Sequence, residues 1–205
     1  MKIRTIKVGD LRTNCYIVTS DDSREAVIID PGASPEKIFD AIDKEGLNPV
    51  LIVNTHAHHD HIGANDLLAK KYSIIAALSQ DDFDLIKEWK SVYFYEFEGI
   101  DLENYAFGKM LHDGDTVGAE GLELNVIQTP GHTKGSICLY GEGALFSGDT
   151  LFAGDSGRTD FHGGNDAEMV RSLEKLMELP PDTKVYPGHG KATTIGNERL
   201  IYVKN

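Results

Sequence analysis

The sequence predicts an α/β layered sandwich in which helices cover mixed β-sheets. Two observations carry this. Strand-like and helix-like segments alternate in each half of the chain, yet several neighbouring strands are joined too closely for the crossovers that parallel pairing needs. In addition, five apolar, strand-like runs, drawn from both halves, each end at a histidine or an aspartate.

The segments follow in order. IRTIKVG, NCYIVTS and EAVIIDPG read as short strands, from their β-branched content and bounding turn residues. A helix is expected over 35–45, with Ser34 as its cap, Pro35 in its first turn and Gly46 at its end. PVLIVNT is a compact apolar run and reads as a buried strand, followed by a helix over 62–71 and a strand at YSIIAAL. Residues 79–88 look helical and acidic. Residues 89–108 hold seven of the 17 aromatic residues without a clean period, and read as a lid, an insertion or a substrate wall, or as a packing or dimer surface. Strands resume at DTVGAE, LELNVIQT, SICLYG and ALFSG. Met169, Val170, Leu173, Leu176 and Met177 recur at helical spacing over 166–178, a helix stopped by Pro180 and Pro181. KVYPGHG is a last strand, and a helix or tail over 194–205 closes the chain.

At 205 residues, with 40% hydrophobic and 26% charged residues, the chain suits one soluble domain over 1–205. No run is apolar enough to span a bilayer and the first residues lack a signal-peptide core, so a cytoplasmic protein is expected. A formal net charge of −13 disfavours nucleic acid and anionic membrane as partners. Cys15 and Cys138 are far apart and lie in strand-like runs, which predicts two buried small side chains rather than a disulfide or a catalytic thiol.

The strand ends carry the chemistry. EAVIID delivers Asp30, VLIVNT delivers His56, LELNVIQTPG delivers His132, ALFSG delivers Asp149 and KVYPG delivers His189. Such positions commonly line the crevice of α/β folds. Imidazole and carboxylate together suit a borderline divalent metal. Within THAHHDH, His56 and His58 are two apart and point the same way on extended backbone, so they can hold one ion. Asp60 and His61 diverge from them and suit a second ion. His132 adds a third imidazole to one ion and His189 serves the other, while Asp149 can bridge the two. His59 is expected to face away from both pairs. His112 and His162, outside the strand-end pattern, read as ordinary surface residues.

THAHHDH, TPGHT, SGDTLF and YPGHG, in this order and spacing, resemble the metallo-β-lactamase-fold hydrolases over nearly the whole chain. VIIDPG, SGDTLFAGDSGRTDF and YPGHGKATTIGNER are similar to the glyoxalase II-like branch. The resemblance implies a four-layer αββα sandwich of two mixed sheets with two divalent metal ions between them, zinc before iron or manganese. It implies His56, His58 and His132 on one metal, Asp60, His61 and His189 on the other, and Asp149 bridging. Asp30 is then a support that orients a ligand, and Asp60 also orients the attacking hydroxide. An aspartate at 149, where class B β-lactamases carry cysteine, argues against that activity.

The implied reaction is hydrolysis of a small thioester or ester, as by hydroxyacylglutathione hydrolases. With 16 residues after His189, the C-terminal glutathione-binding helical domain of glyoxalase II proper is expected to be missing. Arg158 falls where the family carries a basic residue near the substrate, and is expected to meet a substrate carboxylate or to pair with Asp160. Thr159 and Asp160 read as loop-stabilising residues. The alternative reading is a mononuclear iron persulfide dioxygenase, with His56, His132 and Asp149 as its facial triad.

Overall fold

A computed structural model describes residues 1–92 and 107–202, with the backbone alone at 89–92. Strands β1 (Lys2–Val8), β2 (Thr13–Thr19), β3 (Glu25–Ile29), β4 (Asn48–Val53), β5 (Ala76–Ser79) and β6 (Phe107–Leu111) form one sheet in that order. The first three pair antiparallel, and β3 to β6 run parallel. The second sheet has the order β12-β11-β10-β9-β8-β7, from β7 (Thr116–Ala119), β8 (Leu122–Gln128), β9 (Ile137–Gly141), β10 (Ala144–Gly148), β11 (Lys184–Pro187) and β12 (Thr193–Thr194). Here β10 and β11 are parallel and the other pairs antiparallel. Both sheets are therefore mixed.

Strand periodicity divides the apolar side chains among three interfaces. Tyr16 and Val18 of β2 join Val27, Ile29, Val53, Leu124, Leu139 and Phe146 between the sheets. Cys15 and Ile17, one residue out of step, face the opposite side. There α1 (Pro35–Glu45) and α3 (Asn65–Tyr72) bring Ile38, Ile42 and Leu68 onto the first sheet. On the other flank, α5 (Asp166–Met177) and α6 (Ile195–Tyr202) lay Met169, Leu173, Leu176 and Ile195 over Leu145 and Val185. The result is four layers, αββα. Phe146 is fully buried and stacks on Tyr186 at 5.4 Å between centroids, so truncating it to alanine costs about 3–5 kcal/mol. Both cysteines are buried and unpaired.

Four expectations need correction. Ser34 does not cap α1 through its side chain: it sits at φ 51°, and its hydroxyl accepts the Gly9 N–H at 3.3 Å instead. Gly46, at φ 61°, does end that helix. The helix expected over 62–71 is two pieces, α2 (His59–Ile62) and α3, because the Ala64 N–H turns to the Pro31 carbonyl at 2.9 Å. The strand at YSIIAAL begins only at Ala76. Strands β6 and β12 were not expected: β6 is an edge strand with no alternation of exposure, and β12 has two residues. Helix α4 (Gln80–Val92) and β6 flank the aromatic stretch, so the lid or insertion reading of 89–108 concerns residues that mostly lie outside those described.

Candidate metal centre

The C-terminal ends of β3, β4, β8, β10 and β11 converge, and with them the histidines and aspartates predicted from the sequence. Three groups of ligand atoms each lie within 4.8 Å of one another: His56, His58 and His132; Asp60, His61 and His189; and His56, His61 and Asp149. Asp149 reaches toward both sides, with Oδ2 3.6 Å from His132 Nε2 and 3.5 Å from His189 Nε2, and Oδ1 3.5 Å from His61 Nε2. Asp60 Oδ2 lies 3.2 Å from His189 Nε2 and 3.4 Å from His61 Nε2, and accepts the Thr13 hydroxyl at 2.7 Å.

The outward ring nitrogens show why the inner ones are available. His61 Nδ1 faces Asp30 Oδ2 at 3.0 Å, His132 Nδ1 faces the Arg158 carbonyl at 2.7 Å, and His189 Nδ1 faces the Leu11 carbonyl at 3.2 Å. The Thr55 hydroxyl donates to Asp30 at 2.7 Å, so its oxygen accepts from His56 Nδ1 at 3.1 Å. Each acceptor holds a proton on Nδ1 and leaves Nε2 as the atom that points inward. His58 is turned the other way and presents Nδ1, 2.9 Å from His132 Nε2. Asp30 also accepts the Thr55 N–H at 2.7 Å, so one buried carboxylate orients His61 directly and His56 through Thr55.

Within this centre two buried atoms, His56 Nε2 and Asp149 Oδ1, have no hydrogen-bond partner among the described residues. Leaving such an atom unsatisfied costs about 1–3 kcal/mol. A cation among these donors satisfies both, so the residues present fit a divalent metal. Electrostatics differ across the centre. Burial and the neighbouring rings of His61, His58 and His132 hold His56 well below the ordinary imidazole range. Burial with His132 and His61 takes His58 down to about 3. Burial opposes the charge on His61, yet Asp149, Asp30 and Asp60 outweigh it and push that ring up to about 9. Burial opposes the charge on the half-buried Asp60 as well, but His189, His61 and Thr13 hold its carboxyl well below the usual range. Burial also lowers His132, so one side is three imidazoles that disfavour a proton and the other is rich in carboxylate.

Close approach requires glycine at 188, where an added Cβ would lie 2.2 Å from Asp149 Oδ1 and 2.7 Å from His61 Cε1. The adjacent loop is fastened by the C-terminal helix: Glu198 accepts the Gly154 N–H at 2.8 Å and the Thr193 hydroxyl at 2.6 Å. Asn14 donates to the Pro187 carbonyl at 2.9 Å, which seats the turn before His189.

Above the centre opens a cavity of about 520 Å³ whose wall includes Leu11, Phe152, Arg158, Phe161 and His162. Of the two expectations for Arg158, the structure shows the pairing with Asp160, and it places the side chain on the cavity wall. Its guanidinium grips Asp160 with two hydrogen bonds, of 2.7 and 2.6 Å, and it lies over the Phe161 ring at 3.9 Å while lining the cavity. The Thr159 hydroxyl donates to Asp166, which ties this loop to α5. His59 is exposed at the rim and belongs to none of the three ligand groups. His112 is exposed and not among the residues lining the cavity, whereas His162 stands on that wall, 3.4 Å from Glu88.

Sequence reasoning missed Thr13, Thr55, Leu11 and Asp82. Thr13 and Leu11 lie in no recognisable pattern, and Thr55 stood at the head of THAHHDH with no role of its own. Asp82 carried a signal: it shares a helix face with Leu85 and Ile86, an acid at i where i+3 and i+4 are apolar.

Residues 8–189 match the metallo-β-lactamase superfamily, and the chain belongs to it. It is 36% identical to the probable metallo-hydrolase YqgX of Bacillus subtilis, over 97% of this chain and 95% of that protein. It is 30% identical to the hydroxyacylglutathione hydrolase GloC of Haemophilus influenzae, with the same coverage. Among solved structures, the BLEG-1 B3 metallo-β-lactamase is 33% identical with a TM-score of 0.88, over 99% of this chain and all of that one. A di-iron-bound form of TTHA1623 is 33% identical with a TM-score of 0.79, over 95% and 96%. No helix among the described residues is long and apolar enough to cross a membrane.

Proposed function

We propose that the chain is a dinuclear metal-dependent hydrolase of the glyoxalase II type that cleaves a small thioester or related ester. The observation that carries this is the pair of three-residue ligand groups spanned by one carboxylate, Asp149, at the floor of a partly apolar cavity. Divalent cations at these positions supply a Lewis acid for the scissile carbonyl and acidify water near neutral pH. The remaining roles belong to side chains. His56, His58 and His132 offer three neutral nitrogens to one ion, and Asp60, His61 and His189 hold the other. Asp60, fixed by Thr13, accepts a hydrogen bond from the attacking hydroxide and orients it. Leu11, Phe152 and Phe161 shelter the body of the substrate, and Arg158 meets a carboxylate on it. A thiolate is a good leaving group and departs without a general acid, which suits thioesters.

The likeness to GloC supports a thioester, and the donor set accepts zinc first, while the di-iron relative keeps iron in view. The aspartate at 149 argues against β-lactam cleavage, but the likeness to BLEG-1 makes a β-lactam a necessary member of any substrate panel. The test is elemental analysis of the purified protein alongside hydrolysis of S-lactoylglutathione, a simple ester, a lactone and a β-lactam. Two metals per chain with preferential thioester turnover is expected. One iron per chain with oxygen uptake on glutathione persulfide overturns the proposal.

A further inference from the structure

We infer that Asp82, outside the ligand set, is the positioning residue that fixes the loop carrying His56 and His58 against the loop carrying His132. The inference rests on the reading of these three histidines as the ligands of one ion.

Asp82 lies near the start of α4 and is fully buried. Its carboxylate accepts three hydrogen bonds. Oδ2 takes the Ala57 N–H at 2.8 Å and the Thr133 hydroxyl at 2.9 Å, and Oδ1 takes the Gly135 N–H at 2.7 Å. Ala57 is the residue between His56 and His58, so its amide cannot move without turning both rings. Thr133 follows His132 directly. One carboxylate therefore bridges two ligand loops that come from different sheets, and does so from behind the centre. Among the described residues no cationic side chain hydrogen-bonds to it.

The second loop is built to reach it. A Cβ at Gly135 would stand 2.2 Å from Ser79 Oγ and 2.4 Å from the Asp82 nitrogen, so only glycine allows the backbone to dock this closely. The Thr133 hydroxyl also contacts Ser136 Oγ at 2.7 Å, which closes the turn after His132 around the same anchor. A buried carboxylate is costly, and these three donors offset that cost only while both loops stay in place. Its removal releases the loops relative to each other rather than any one ligand.

The test measures zinc affinity by chelator competition, and the visible spectrum of the cobalt(II)-loaded protein, for Asp82→Asn and Thr133→Val, with Asp81→Asn as control. Losses of orienting groups around metal ligands typically weaken binding by roughly 10–100-fold. That loss is expected for one zinc ion in Asp82→Asn, with a smaller loss in Thr133→Val, a changed cobalt spectrum, and the other ion and the control unaltered. The inference is overturned if both variants bind zinc as tightly as the parent, even when their melting temperatures fall, or if both ions weaken equally. If Asp82→Asn does not fold, Thr133→Val, which removes one donor and leaves two, decides alone. A parent chain that binds a single ion refutes the dinuclear reading, and that ion's affinity in the variants still decides the role of Asp82.

Discussion

The floor and the wall of the cavity are held in place by different means. On the floor, His56, His61, His132 and His189 each have their outward nitrogen engaged by an oxygen, and Asp30 and Asp60 each serve two or more partners. On the wall, Leu11 is 60% exposed and Phe161 45%, and Arg158 is clasped by a neighbour two residues away. The floor is over-determined and the wall is lightly held. The contrast teaches that the candidate metal centre is held by a dense set of hydrogen bonds just beyond the strand ends, while the cavity wall rests on exposed loop side chains.

Substitutions break or sharpen the contrast in a graded way. His58→Ala, on the floor, should strip metal from the protein and take thioester hydrolysis to the buffer rate while the fold survives. Retention of two metals per chain in that variant would remove His58 from the ligand set. Asp30→Asn should follow, since it loses the acceptor for His61 and the anchor of Thr55: metal affinity falls by roughly 10–100-fold, read by chelator competition. Arg158→Ala, on the wall, should raise KM several-fold for a substrate bearing a carboxylate and leave kcat and metal content near the parent values. A fall in kcat with unchanged KM would place Arg158 in the chemistry instead. His59→Ala should change neither metal content nor turnover, and an emptied site would mean that the assignment within THAHHDH is wrong.

Much of this arrangement was legible in the sequence because it is periodic or terminal. Apolar runs ending in His or Asp pointed to five of the residues that converge at the candidate centre, and the i, i+2 spacing of His56 and His58 anticipated that both rings fall in one group. What was hidden depends on contacts between distant segments. Ser34 looked like a cap because its local sequence fits one, but Gly9, 25 residues away, claims its hydroxyl. The break between α2 and α3 comes from the Pro31 carbonyl, which no local pattern shows. Asp82 was masked by its acidic neighbours, Asp81 and Asp84, which do lie toward solvent. Thr13 and Leu11 reach the centre only because the turn after β1 folds over it.

Leu11 and Arg158 touch the centre twice, by side chain at the cavity and by backbone carbonyl at His189 and His132. The carbonyl is common to every amino acid, so the support it gives a histidine survives any replacement that keeps the backbone path. Positions 11 and 158 are therefore where side chains of the cavity wall can change while the carbonyls that hold His189 and His132 stay in place.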